Sequence, residues 1–243
     1  MTPTFPHEMA EALADDAEAL AALHDRELNA ELLAALRAVD FPHSLGLLPD
    51  GEPTKEVWRL MSAAVPLAPD ATTLEQLAVD YAAIYLTGAY GASPCESVWT
   101  DDEHLACQAA MFALRDIYAM AGLVAEDWRR RPDDHLVLQL LYLSHVLRRA
   151  SGPAELRRLA AMMDEHLLRW LPDFAERVAS RCETPFYAVL GRLTFVWCEQ
   201  VRDLLSEWLG EPRPARKDVK ARVKTQRVES APLAYMPGAS PSW

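Results

Sequence analysis

Residues 185–210, PFYAVLGRLTFVWCEQVRDLLSEWLG, decide the fold. Leu190, Leu193, Trp197, Val201, Leu204 and Trp208 recur every three or four residues, the spacing that lines one face of an α-helix. Thr184 and Pro185 supply an N-cap followed by proline at the first helical position, and Gly210 supplies the stop. The same period spreads outward from this helix. LVLQLLYLSHVL at 136–147 reads as a buried helix opened by Pro132-Asp133-Asp134, and Gly152-Pro153 starts the next. Thr72 with Glu75 makes a capping box ahead of LEQLAVDYAAIYL, and Thr100 with Glu103 makes another ahead of a helix running to about Gly122. Met9, Leu13, Leu20 and Leu23 line an N-terminal helix, and Leu32, Leu33, Leu36 and Val39 line its successor. No segment sustains a period of two, so the reading is an all-α fold of about nine or ten helices in one domain over 1–210.

Composition narrows the function. Only nine glycines in 243 residues argue against turn-rich sandwiches and Gly-loop nucleotide folds, and no phosphate-cradling motif is present. The chain carries a net charge of −12, and residues 211–243 alone carry +4, which leaves −16 on the first 210. Such a body repels nucleic acid and attracts a basic peptide. The segment 211–243, basic and rich in Pro and Ser, reads as a flexible tail; its basic run Arg213–Arg227 followed by the apolar Pro232–Met236 copies the order of an export signal. The acidic N-terminus lacks the basic-then-apolar pattern of a secretory signal, and the longest apolar run is too short for a bilayer. With four scattered cysteines, this points to the reducing cytoplasm and to no integral membrane segment.

Chemistry-bearing residues are few. Asp101, His104 and Cys107 share a helical spacing, yet no second motif completes a metal site, and Cys107 in line with Met111, Leu114 and Tyr118 reads as a core residue. No metal and no cofactor are expected. Cys95, after Pro94 in a loop, reads as an exposed thiol that a histidine base would have to activate. Asp134 suits a helix N-terminus, with His135 half exposed beside it. A small enzyme using Cys95 or Asp134/His135, with or without a nucleotide, is therefore the alternative to a non-catalytic binding protein.

Three stretches bear on that choice: DYAAIYLTGAYGASPCESVWTDDE (80–103), RRRPDDHLVLQLLYLSHVL (129–147) and HLLRWLPDFAERVASRCETPFYAVLGRLT (166–194). In order and spacing they resemble the TorD/DmsD/NarJ family of redox-enzyme maturation chaperones, over roughly residues 70–200. The resemblance implies a cytoplasmic, all-helical, non-enzymatic chaperone. Such a protein binds the N-terminal signal, often a twin-arginine signal, of a molybdopterin oxidoreductase subunit and holds the apoprotein until its cofactor is inserted. It also implies a mostly monomeric protein in which dimers form by helix exchange. Signal-peptide binding would fall on Tyr81, Ile84 and Tyr85, on Pro94, Cys95, Glu96, Ser97 and Trp99, on Asp102, and on Asp134 and His135. Cys95 replaces the family's usual aromatic after the proline. Read from the residues alone, Glu96, Asp101, Asp102, Glu103, Asp133 and Asp134 supply carboxylates for a basic segment, and Tyr85, Pro94, Val98 and Trp99 supply apolar surface.

Overall fold

In the computed structural model, which describes residues 6–229, the 185–210 stretch forms the longest described helix. This helix, α10 (Pro185–Leu209), ends at Gly210, whose backbone is left-handed at φ 65°, a conformation glycine adopts without a Cβ clash. Before it come α1 (His7–Asp25), α2 (Ala30–Ala38), α3 (Glu52–Ala64), α4 (Ala71–Tyr81), the single turn α5 (Ser97–Thr100), α6 (Ala109–Met120), α7 (Leu136–Arg149), α8 (Pro153–Met162) and α9 (Leu168–Arg181). Two π-helical segments interrupt the series: Ala82–Leu86 continues α4, and Met163–Leu167 joins α8 to α9. The described residues contain no strand, only an isolated antiparallel bridge between Cys95 and His135. The all-α expectation holds, with ten helices before residue 214. Residues through Arg213 make one compact unit. A second unit starts at Pro214, and its described part is the helix α11 (Arg216–Glu229), inside the stretch read from sequence as a flexible tail. Pro232–Met236 lie outside the described residues.

The apolar periodicity translates directly into packing. α10 lies against α9, α3, α8 and α4, and α1 lies along α7. Trp58, Trp170, Phe174, Phe186, Tyr187 and Trp197 are fully buried and fill the centre. α9 and α10 approach closely at Gly191, where a Cβ would sit 3.2 Å from Ala175 Cα. Not every periodic apolar residue reaches the core: Met9 and Val39 stay exposed.

Both predicted capping boxes are displaced. α4 is capped by Asp70, whose side chain accepts from Thr73 N at 2.8 Å, so Thr72 sits inside the first turn. The second helix starts at Ala109 rather than after Thr100. The intervening chain turns on Asp101, whose Oδ2 accepts from Glu103 N at 3.0 Å, and passes through left-handed backbone at His104 and Cys107. Asp101, His104 and Cys107 therefore do not line a helix face, and Cys107 is half-buried ahead of α6 instead of in its core stripe.

One buried carboxylate ties the N-terminal helix to the central one. Asp16 accepts from Gly46 N at 2.7 Å, Leu47 N at 3.0 Å and the Trp197 indole at 3.0 Å, joining α1, the 41–50 loop and α10. Burial raises its pKa, and the three donors act in the opposite direction. Asp16→Ala leaves three donors without a partner and is expected to lower unfolding stability by about 3 kcal/mol or more, whereas Asp16→Asn, which keeps an acceptor, costs less. Urea titration followed by tryptophan fluorescence measures both.

Candidate functional site

The residues singled out in sequence converge where the loop before α5 meets the start of α7. Glu96 N donates to Asp134 O at 3.1 Å and Leu136 N donates to Pro94 O at 2.8 Å, which pairs the two strands of chain around the Cys95–His135 bridge. The Asp134 side chain adds a third link, accepting from Ser97 N at 2.7 Å. Ser97 Oγ in turn accepts from Gln108 N at 3.1 Å and fixes the entry to α6. Asp134 is fully buried, and burial raises its pKa against the Ser97 hydrogen bonds. It is not the helix cap: His135 is, its Nδ1 accepting from Val137 N at 3.2 Å.

Glu96 is also fully buried, on the inner side of this junction. His166 Nδ1 lies 3.1 and 3.2 Å from its two oxygens, Gln139 Nε2 donates at 3.4 Å, and the Arg169 guanidinium stands 3.9 Å away. Gln139 also donates to Asp134 O at 3.0 Å. A carboxylate taken from water requires such partners, and here α7, the second π segment and α9 all supply one. Asp133 is likewise buried and receives two hydrogen bonds from Arg115. Three of the six carboxylates proposed to face a basic peptide are therefore used internally. Asp102 and Glu103 are exposed.

Tyr81, Ile84 and Tyr85 form the neighbouring wall. The π-helical turn carries Ile84 inward and directs the Tyr85 hydroxyl onto His24 Nδ1 at 2.6 Å. Thr194 Oγ1 donates to Leu190 O at 2.9 Å, so it accepts from His24 Nε2–H at 2.8 Å. That assignment makes His24 neutral with its proton on Nε2. Burial, reinforced by the nearby His135, pushes the His24 pKa down to about 3. His135 is pushed down to about 3 by burial and by the charge of Arg131. Tyr81 donates to Asp25 O at 2.7 Å and stacks 4.9 Å from Tyr85. On the outer side, Trp99 is half-buried, its indole donating to Ser93 O at 2.8 Å while Arg177 covers its ring at 5.6 Å.

Cys95 corrects the expectation of an exposed thiol. Its side chain is buried at 8% exposure, and burial followed by the Asp134 charge drives its pKa up. The thiolate that nucleophilic catalysis requires is thereby disfavoured. Among the described residues no group of three His, Cys, Asp or Glu side chains is arranged to hold a metal. Sequence reasoning missed His24, His166, Gln139 and Asp80. Asp80 is buried and accepts from Tyr90, Thr184 N and Thr184 Oγ1, fastening α4 to the start of α10. The available signal was a polar residue on an apolar stripe: His24 continues Leu13, Ala17 and Leu20, and Asp80 interrupts Leu77, Tyr81 and Ile84. Glu96 and His166 lie seventy residues apart and no local pattern joins them.

The site is thus part of an all-helical frame in which the buried Glu96, Asp133 and Asp134 support the structure while Asp102 and Glu103 face solvent. Comparison with known proteins names the class further. The family described as nitrate reductase delta subunit matches residues 49–176, a span that contains every site residue discussed from Tyr81 to His135. Chaperone protein TorD of Vibrio cholerae is 27% identical over 201 residues, covering 79% of this chain and 91% of its own. Those of Shewanella oneidensis and Escherichia coli are 29% and 30% identical, covering 77% and 74% of this chain and 88% and 89% of theirs. The chain belongs to this family, the TorD/NarJ group of maturation chaperones.

Two outcomes follow from the geometry. Asp134→Ala strands the Ser97 amide and is expected to cost about 2 kcal/mol, with Asp134→Asn close to the parent, as thermal melts followed by circular dichroism will register. For His24 the unfolded chain takes up protons near pH 6.5 that the folded chain refuses until about 3. The stability due to its neutral form is complete above pH 6.5 and declines as pH falls toward 3, by about 2 kcal/mol between pH 7 and 5. In imidazole NMR the His24 ring stays in the Nε2–H form across that interval.

Proposed function

We propose that this chain is a cytoplasmic chaperone that binds the N-terminal signal of a molybdopterin-containing oxidoreductase subunit and holds the apo-form until cofactor insertion. The observation that carries this reading is the family match across 49–176, which embraces the whole 93–135 junction. Its curated relatives are named as chaperones. Within this reading most of the nominated residues are frame. Pro94, Cys95, Glu96, Ser97 and Asp134 hold the loop, Tyr81 and Ile84 back it, and contact with a peptide falls to the exposed Asp102 and the half-buried Tyr85, Trp99 and His135.

A twin-arginine signal presents two guanidinium groups followed by a weakly apolar stretch. Exposed Asp102 and Glu103, on a chain of net charge −12, answer the first, and the half-buried Trp99 with the exposed Leu105 answers the second. The buried, weakly acidic Cys95 gives no footing to a covalent mechanism. No helix of the described residues is long and apolar enough to cross a membrane.

Isothermal titration with a synthetic twin-arginine signal peptide is expected to give micromolar or tighter affinity, about −8 kcal/mol or stronger. Raising salt weakens binding without abolishing it, because exposed charge pairs are screened while apolar contacts persist. A twin-lysine peptide binds more weakly, having lost bidentate geometry. Asp102→Lys with Glu103→Lys reduces affinity several-fold, and Cys95→Ser leaves it intact. Absence of binding to the signal of every molybdopterin oxidoreductase encoded beside this gene overturns the reading.

A further inference from the structure

The ring of Trp99 is covered by a guanidinium that supports none of the buried frame. Arg177, on α9, holds its guanidinium carbon 5.6 Å from the centre of the Trp99 ring, and its Nη1 donates to Gly91 O at 3.2 Å. The ring is fixed from other directions. Its indole N–H donates to Ser93 O at 2.8 Å, and Phe174, one turn before Arg177 on α9, meets it edge to face at 6.5 Å. Gly91 completes the cradle: it is exposed at φ 60°, a conformation that favours glycine, and a Cβ there would stand 3.2 Å from Arg177 Nη1 and crowd the guanidinium.

Arg177 itself is loosely held. It is exposed and enters no ion pair among the described residues, although Asp173 stands one turn earlier on the same helix; Glu176 beside it is paired with Arg192 at 3.3 Å. Its two contacts, an aromatic ring and a main-chain carbonyl, are uncharged and would serve another planar cation equally well. A guanidinium suits them better than an ammonium, because its flat group stacks on a ring while its edge donates to an oxygen. Three and four residues beyond Trp99 stand the exposed carboxylates of Asp102 and Glu103.

We propose that the Trp99 ring and Gly91 O form a subsite for the guanidinium of one arginine of the bound signal, and that Arg177 is its resident occupant, which the client's arginine displaces. The inference deepens the signal-binding reading and rests on it. The second arginine then falls to Asp102 and Glu103, and Leu105, 48% exposed, is left for the apolar stretch that follows. Because Arg177 and the client compete for one place, the affinity of the parent chain is the intrinsic affinity reduced by the fraction of molecules in which the subsite is filled. A cation–π contact at an exposed position is weak, so Arg177 leaves without any change in the fold.

The test uses the full chain, a twin-arginine signal peptide, and N-acetylarginine amide as the smallest guanidinium probe. Arg177→Ala empties the subsite and is expected to bind the signal peptide about three- to tenfold more tightly than the parent. A twin-lysine peptide gains less, since an ammonium has no planar face. The gain persists in about 1 M salt, where the screening length is about 3 Å and removal of a distant like charge no longer matters. In nitrogen–proton NMR spectra the Trp99 indole resonance, assigned with Trp99→Phe, shifts when the signal peptide binds either chain. The proposal is overturned if Arg177→Ala binds the signal peptide no more tightly, if its gain vanishes in high salt, or if the Trp99 resonance does not move in the peptide complex. If the signal peptide binds neither chain, the signal-binding reading fails and N-acetylarginine amide decides the subsite: a Trp99 shift stronger in Arg177→Ala than in the parent keeps it, and an equal or absent shift removes it.

Discussion

The short pairing of Pro94–Ser97 with Asp134–Leu136 is the constraint on which the site depends. A loop between two helices has no intrinsic reason to hold one conformation, and ordering it costs entropy for each residue fixed. Here the main-chain bonds from Glu96 to Asp134 and from Leu136 to Pro94 are closed over by the Asp134 carboxylate on Ser97 N. Because that carboxylate is out of water, the hydrogen bond it accepts has no solvent competitor, and its loss leaves a buried donor exposed to nothing. The loop is fixed as a consequence, and with it the position of the half-buried Trp99.

Behind the pairing stands a set of polar groups that a helical bundle ordinarily excludes from its centre. Glu96 with His166 and Gln139, His24 with Tyr85 and Thr194, Asp80 with Thr184, and Asp16 with Trp197 each join elements distant in sequence. Apolar contacts along α10 tolerate small rotations of one helix against another. Directional hydrogen bonds do not, and they select one register. Both π-helical segments fall where such a bond is made, at Tyr85 and at His166. The extra residue per turn changes the direction in which the following side chains point, and wide turns of this kind recur at functional sites.

The arrangement sorts the loop's carboxylates by exposure. Around the loop the outward carboxylates are Asp102 and Glu103, while the inward ones are spent on the frame.

The 3.6-residue period of α10, α7 and α1, the proline and glycine at the ends of α10, and the scarcity of glycine were enough for an all-helical fold. These are local properties, in which each residue's neighbours three and four places away share its face. The negative charge and the 93–99 and 132–135 motifs were enough to indicate the family and to nominate the residues around the loop. Sequence could not decide which of those residues face solvent. Cys95, Glu96 and Asp134 read as exposed chemistry, yet the pairing of two segments forty residues apart turns them inward. The capping residues moved because Asp70 and the Asp101 turn outcompeted the nearby Thr-x-x-Glu patterns for the same backbone donors. The buried partners His24, His166 and Gln139 arise from contacts between helices far apart in the chain, and only the packed tertiary structure brings them together.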